Sequence, residues 1–241
     1  MRGTNDLVCA GASNMRLSRP KNNAGGRRRA SGFTLLEMAM VMAITIIVAL
    51  YAVLGLVPVL NQQRVTNGYN TTMAAMRLAR DNAISQRTSY SVTFSNSLTP
   101  NTIVVAPTLV FANGNGTNED IPTATYQLPT GVTFLAQAQL ATVTPPDGYG
   151  GGTAAIDFGY PSPSPSGGGQ TVLYFCPDGS AQNSTSAGNC SGVNNWSGGV
   201  VYIAQSGNIL SSRALTVWGG TGRIHGWRLY SSGSSYAWVR Q

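Results

Sequence analysis

The first region of the chain is an apolar segment. Residues 38 to 60 are almost all apolar and carry no charged side chain. A helix of this length rises about 1.5 Å per residue, which is enough to cross the roughly 30 Å of a bilayer's hydrocarbon core. The pattern predicts a membrane-spanning helix over residues 33–60.

A helical pattern continues beyond the apolar segment, now with polar residues on one side. Apolar residues recur at steps of three, four and seven positions, namely Val65, Tyr69, Met73, Met76 and Ala83. Such a stripe marks an amphipathic helix and is more typical of a core than of a cofactor site. We therefore predict that the helix continues over residues 61–87 and packs against a globular domain. Pro58 lacks an amide hydrogen and clashes with the preceding turn, so a bend is expected near it.

From Tyr90 onward the apolar residues alternate with polar ones, which is typical of β-strands. Gly, Pro, Asn and Ser separate the runs, and the segment 160–169 is too rich in proline and glycine to form a strand. Ser206-Gly207 predicts a tight hairpin turn, and residues 219–222 a looser one. Strands are expected at residues 90–94, 103–111, 124–128, 132–140, 154–158, 171–175, 199–205, 209–218 and 223–230. The predicted fold class is α+β, a long N-terminal helix packed on antiparallel β-sheets, with one globular domain over residues 88–241.

Positive charge is concentrated before the apolar segment. Of the formal net charge of +7, residues 1–32 contribute +6, and the rest of the chain has eight arginines, seven acids and no lysine. Basic residues on this side predict that the N-terminus stays in the cytoplasm and that the C-terminal domain crosses the membrane. Translation from Met15 instead of Met1 is an open alternative. The basic pI therefore says little about a binding partner.

The junction between the basic and apolar segments contains the most specific signal. Gly32 is followed by Phe33, and Glu37 is the only charged residue between Phe33 and Leu60. An unpaired carboxylate in lipid is costly, and such residues are functional by default. The arrangement resembles the leader of type IV prepilins and of type II secretion pseudopilins.

This resemblance implies that a prepilin peptidase cleaves between Gly32 and Phe33 and methylates the new amine of Phe33, which removes residues 1–32 as a leader. It also implies that the Phe33 ammonium of one subunit approaches the Glu37 carboxylate of another. An ordinary secretory signal would be cleaved after the apolar run, and here the site lies before it. The alternative is an uncleaved signal anchor in which Glu37 only lies near the membrane interface.

Three short motifs further along the chain resemble the GspH/FimT family of pseudopilins and minor pilins. They are Met76–Ile84 at the predicted helix end, Phe175–Ser180 as a turn, and Thr221–Ile224 at the start of the last predicted strand. The resemblance implies a pilin-like fold from Gly32 to about Tyr230. The loops over residues 112–120 and 145–169 have no counterpart in the family pattern.

Removal of the leader would also remove Cys9 and leave Cys176 and Cys190. Their spacing is not that of metal ligands, and with a single histidine in the chain we expect no metal site. In an oxidising periplasm we expect a Cys176–Cys190 disulfide, worth about 3 kcal/mol in the chain-entropy model. Two free thiols are the alternative.

Two functional hypotheses follow from the resemblance. In the first, the chain is a minor pseudopilin of a type II secretion system, with other pseudopilins, the prepilin peptidase, the inner membrane and a secreted protein as partners. In the second, it is a FimT-like minor type IV pilin that binds DNA through a G-R-x-R sequence. The matching residues are Gly222-Arg223-Ile224-His225, so the second arginine is a histidine that is mostly neutral at pH 7. Arg223, His225 and Arg228 are then the candidate DNA-binding residues, with Trp227 available to stack on a base.

The surroundings of these candidates complete the expectation. No acidic residue follows Asp178, so the C-terminal region is expected to be locally basic. Arg77 and Arg80 are expected to form a solvated helix face. Because the only lysine lies in the leader and no G-x-S-x-G motif is present, an enzyme is disfavoured and no cofactor is expected. Glu119-Asp120 is interpreted as a solvated loop tip, with a calcium site left open.

Overall fold

The computed structural model describes residues 32–108, 124–151, 153–160, 170–183, 190, 196–233 and 235–241. Residues 1–31 of the leader, the acidic pair Glu119-Asp120 and most of the proline- and glycine-rich segment therefore lie outside the described residues. Two compact units are present, one ending at Ala49 and the other running from Leu50 to Gln241. The α+β pilin-like fold expected from the sequence is confirmed.

Helix α1 spans Leu35–Gln86, 52 residues without interruption, and runs through Pro58. A bend at Pro58 stays a prediction. By length and composition its first half could cross a membrane. The large apolar side chains of this half are exposed, including Leu36, Ile46 and Val53.

The second half of α1 is buried on one side, as its amphipathic stripe predicts. Val65, Tyr69, Met76 and Ala83 are buried, and Met73 is partly buried against the same core. The stripe exists because residues three and four apart share a helix face. It packs against both β-sheets of the unit that begins at Leu50.

The first sheet has five antiparallel strands in the order β3-β2-β1-β6-β7. Their bounds are β1 Tyr90–Ser95, β2 Thr102–Pro107, β3 Ala124–Gln127, β6 Val172–Phe175 and β7 Ala181–Gln182. The inward residues of β1 and β6, such as Phe94 and Phe175, are fully buried against α1 and its neighbours.

The second sheet has six antiparallel strands in the order β11-β10-β9-β8-β4, with β5 also paired to β8. Their bounds are β4 Thr133–Phe134, β5 Ile156–Tyr160, β8 Gly198–Gln205, β9 Asn208–Trp218, β10 Arg223–Ser232 and β11 Ser235–Arg240. Gln205 pairs with Asn208, so Ser206-Gly207 forms the two-residue hairpin that the sequence predicts, with Gly207 at φ 77°.

The second sheet is covered on both faces. Val201 and Ile203 of β8 belong to the core shared with α1, and the alternating Val200 and Tyr202 belong to a second cluster with Trp227 and Trp238. This is why β8 reads as an almost continuous apolar run and not as an alternation. The two faces of this sheet therefore have different neighbours.

Three strand expectations were wrong. The run 132–140 is a two-residue strand, β4, followed by a 3-10 turn over Ala138–Leu140. Strand β7 and the C-terminal strand β11 were not predicted. The sequence had suggested that the last strand ends at Tyr230, whereas β10 continues to Ser232 and turns through Gly233 into β11.

Candidate functional site

The N-terminus of α1 is closed by a capping interaction. The backbone amide of Glu37 donates a hydrogen bond to Thr34 Oγ1 at 3.2 Å, and the amide of Met38 donates to the Thr34 carbonyl. Thr34 is thus the N-cap and Glu37 the N3 residue of an S/T-x-x-E pattern, which places an acid where the helix dipole favours it. Sequence reasoning missed this local role, although Thr34-Leu35-Leu36-Glu37 matches the capping pattern.

The Glu37 carboxylate is exposed and makes no hydrogen bond or ion pair with the described residues. Phe33 is also exposed, and a Cβ added to Gly32 would meet no described atom within 4 Å. Folding therefore does not require glycine at position 32. If glycine is required there, the requirement comes from a molecule that recognises this segment.

The three motifs that carry the resemblance meet around Arg80. Arg80 Nε donates to the Gly179 carbonyl at 3.4 Å, and Nη2 donates to the Thr221 carbonyl at 3.1 Å. A Cβ on Gly222 would overlap the Gly179 carbonyl oxygen, and its φ of 57° favours glycine. The expectation that Arg80 lies on a solvated helix face is wrong, because its guanidinium joins α1 to two turns.

The turn at Gly179 is formed by local chemistry. Asp178 accepts hydrogen bonds from the amide and the hydroxyl of Ser180, and Gly179 has φ 84°. Next to it, Cys176 and Cys190 are joined by a disulfide bond, with their Cα atoms 5.5 Å apart. The bridge joins Cys190 to the residue that directly follows β6.

The structure separates the three candidate DNA-binding residues. Arg223 and His225 lie on one face of β10, whereas Arg228 lies on the opposite face. Arg228 pairs across the sheet with Arg213 and stacks over the Tyr230 ring at 5.1 Å. Arg228 therefore does not replace the missing arginine of the G-R-x-R pattern. The sequence already indicated this, because residues an odd number of positions apart in a strand lie on opposite faces.

Arg213 is a buried cation on β9, with 3% of its surface exposed. Burial and the neighbouring Arg228 lower its pKa to about 10. Its Nη1 donates to the carbonyls of Ser211 and Ser212, which satisfies part of the guanidinium within the strand. It is therefore a structural residue.

His225 is not a free cation. Its Nδ1 lies 2.8 Å from Asp147 Oδ2, and the same oxygen accepts a hydrogen bond from Thr216 Oγ1 at 2.6 Å. Thr216 Oγ1 in turn accepts from Trp227 Nε1 at 2.9 Å. The acid beside His225 was missed in the sequence, because Asp147 comes from a loop 78 residues away. Trp227 is buried in this network and cannot stack on a base.

A basic cleft lies beside His225, with a volume of about 300 Å³. The charged and titratable residues lining it are Arg77, Arg80 and Asp81 of α1, Arg223 and His225 of β10, and Arg240 of β11. It opens where β10 extends beyond the end of β11, since the pairing of the two strands begins at Trp227. Sequence reasoning missed strand β11 and therefore Arg240. The alternation of residue types after Gly233 could have predicted this strand. The cleft, below called the arginine cleft, can bind an anion.

Within the described part of the chain, no group of three His, Cys, Asp or Glu side chains could hold a metal ion. The calcium alternative concerned Glu119-Asp120, which lies outside that part. A cofactor site was not expected from the sequence.

Comparison with known families gives one match. Residues 27–53 match the prokaryotic N-terminal methylation motif. No curated protein and no solved structure matches the chain. The matched segment contains Gly32, Phe33 and Glu37 together with most of the exposed apolar part of α1. The motif implies processing by a prepilin peptidase and assembly with other pilins, so the chain has the features of a type IV pilin-like or pseudopilin precursor with a single membrane-anchoring helix.

Proposed function

We propose that the chain is a minor pseudopilin, a structural subunit of a type II secretion pseudopilus. Prepilin peptidase would cleave it between Gly32 and Phe33 and methylate the amine of Phe33. The observation that carries the proposal is the exposed apolar half of α1, which starts directly at the methylation motif. Such a helix needs lipid or other helices to cover it, and both are available to a subunit that waits in a membrane and then enters a filament.

The role proposed for Glu37 follows from its surroundings. Its backbone is engaged in the helix cap, while its carboxylate has no partner among the described residues. An ammonium on Phe33 of a neighbouring subunit would supply that partner. In an apolar bundle a charge pair is worth more than in water, and it also fixes the axial position of one subunit against the next.

The proposed topology follows from charge and disulfide chemistry. The basic leader would stay in the cytoplasm, α1 would cross the inner membrane, and the domain with the Cys176–Cys190 bridge would fold in the oxidising periplasm. The proposed partners are other pseudopilins, the peptidase and a secreted protein. The chain would act as a structural subunit and not as an enzyme.

The proposal is tested by co-expressing the full chain with a prepilin peptidase and a set of pseudopilins, followed by site-specific cross-linking. Glu37→Gln keeps the shape and polarity of the N3 side chain but removes the charge, whereas Glu37→Ala removes both. We expect both variants to insert and be cleaved, and both to lose most of the cross-links to neighbouring pseudopilins. Full incorporation of Glu37→Gln would refute the role of the charge. Failure of the wild-type chain to join any pseudopilin would refute the proposed function.

A FimT-like DNA-binding pilin is the second candidate, and the observation that favours it is the arginine cleft. Phosphate contacts dominate nonspecific affinity for DNA, and Arg77, Arg223 and Arg240 are exposed beside one another in this cleft. His225 is not proposed as a contact because Asp147 holds it.

Titration of the full chain with duplex DNA at about 50 and 200 mM salt tests this candidate. If DNA is a ligand, Arg223→Ala should weaken binding equally for all sequences and lower the salt slope by about 1. Arg228→Ala, on the other face of β10, should change neither. Negligible binding at the higher salt, with no effect of Arg223→Ala, would exclude this second candidate and leave the first unaffected.

A further inference from the structure

The arginines of the arginine cleft are not used equally by the fold. Arg80 donates to two backbone carbonyls, and His225 is held by Asp147. The guanidinium groups of Arg77, Arg223 and Arg240 make no hydrogen bond or ion pair with any residue that the structure describes. Three exposed arginines from three different elements thus line one cavity, and none of them has a hydrogen-bond or ion-pair partner among the described residues.

The charge of this cavity is unbalanced. Four arginines and one aspartate line it, which gives a net charge of +3 when His225 is neutral. The whole chain after residue 32 has a net charge of only +1, from eight arginines and seven acids. Like charges held together repel one another, and an anion in the cleft would relieve that repulsion. The arrangement therefore favours a ligand with more than one negative charge.

Three guanidinium groups can surround an acceptor that offers oxygens in several directions. A phosphomonoester has about −1.5 to −2 charges at pH 7 and three terminal oxygens, and arginine donates to such oxygens in pairs. A carboxylate or a phosphodiester has a single charge and two free oxygens. We propose that the arginine cleft binds a phosphomonoester group, with Arg77, Arg223 and Arg240 as its donors.

Size and shape support the same ligand. A volume of about 300 Å³ lies at the lower end of small-molecule pockets, so it fits a phosphoryl group with the first atoms attached to it. A duplex backbone would instead need an extended basic track, and neither Arg228 nor Arg213 lines the cleft. Arg80 is a positioning residue, because it fixes Thr221, two residues before Arg223. The proposal does not depend on the filament function.

The test is calorimetric titration of the full chain in detergent with methyl phosphate and dimethyl phosphate, a matched pair that differs in one charge and one free oxygen. We expect methyl phosphate to bind at least about tenfold more tightly. Arg240→Gln and Arg223→Gln should each weaken it by about tenfold. Arg64→Gln, an exposed arginine of α1 outside the cleft, should change it by less than about twofold. The leader arginines are common to all variants, so their background cancels.

A second arm identifies the source of the phosphate. Single strands of DNA with and without a 5′-phosphate are compared on the same variants, and a preference for the phosphorylated end that Arg240→Gln abolishes supports the proposal. Equal binding of methyl and dimethyl phosphate would overturn it, as would equal losses in Arg64→Gln and Arg240→Gln. DNA binding without any effect of the terminal phosphate would also overturn it and favour the DNA-binding candidate. Circular dichroism spectra of each variant exclude unfolding as the cause of a loss.

Discussion

The two halves of α1 have the same secondary structure and very different surroundings. Met42 in the first half has 65% of its surface exposed, whereas Met76 in the second half is fully buried. The second half owes its apolar stripe to the chain's own sheets. No described residue covers the first half, so its apolar side chains need lipid or other subunits to cover them. One helix thus contains two segments with different roles. We call residues 35–60 the assembly segment, because their apolar side chains are exposed, and residues 61–86 the folding segment, because their apolar stripe packs in the core.

The largest effect is expected just before the assembly segment. Gly32→Glu should abolish cleavage, because it places a charged side chain at the peptidase site, and leave the fold intact, because the position is open. Intact-mass measurement after co-expression with a prepilin peptidase should show the 32-residue leader removed in wild type and retained in the variant. Gly55→Ala, at another open glycine, is the control and should be cleaved. An uncleaved wild-type chain beside an active peptidase would contradict the assignment of the motif.

A pair of identical substitutions tests the comparison itself. Met76→Ala leaves a cavity in the core beneath both sheets and should destabilise the domain by about 2–5 kcal/mol. Met42→Ala should change domain stability by less than about 0.5 kcal/mol and instead weaken cross-linking to other pilins. Denaturant unfolding in detergent measures the first effect. Equal destabilisation by the two variants would show that the halves of α1 do not differ in this way.

A smaller effect is expected at the end of the folding segment. Arg80→Gln removes the bonds to the Gly179 and Thr221 carbonyls and should cost about 1–2 kcal/mol. Arg77→Gln, one turn earlier and without such bonds, should cost less than about 0.5 kcal/mol. Thermal unfolding of the two variants compares them directly. If Arg77→Gln were as destabilising as Arg80→Gln, then Arg80 would not join the three motifs.

The smallest effect is a loss of stability at alkaline pH. Burial raises the pKa of Tyr202, Tyr69 and Tyr149, so the unfolded chain loses these phenol protons first and stability falls as pH rises above about 10. Arg213 acts in the opposite direction, because its lowered pKa means that the folded chain releases its proton first. Comparing Tyr202→Phe with wild type isolates the Tyr202 contribution, because Arg213, Tyr69 and Tyr149 are the same in both chains. Melting temperatures between pH 8 and 11 should drop less in Tyr202→Phe than in wild type, and an equal drop would contradict this account.

Local elements of the fold were predictable because each depends on neighbouring residues. The length of α1, the buried stripe from Val65 to Ala83, strand β1 and the Ser206-Gly207 hairpin all follow from periodicity or turn chemistry. The run 132–140 failed because a short apolar run has the same composition in a strand and in a 3-10 turn. There the partner strand β8 decides, and within this run it pairs only with Thr133 and Phe134.

Of the candidate functional residues, those in the N-terminal processing segment were predictable from the sequence, and those in the C-terminal region were not. The segment from Gly32 to Glu37 is contiguous in sequence and lies at the exposed end of a helix. Its residues are therefore accessible regardless of how the rest of the chain folds. The sequence by itself therefore determined the processing motif, the helix and its two surroundings.

Only the tertiary structure decided the chemistry of the C-terminal region. His225 is held by Asp147 and Arg80 is fixed by Thr221, across 78 and 141 residues. Arg240 enters the arginine cleft through a strand that the sequence analysis had not foreseen. Electrostatic interactions depend on distance in space, and the packing of sheets on α1 sets those distances. A list of arginines along a chain therefore cannot tell a free cation from one that the fold has already bound.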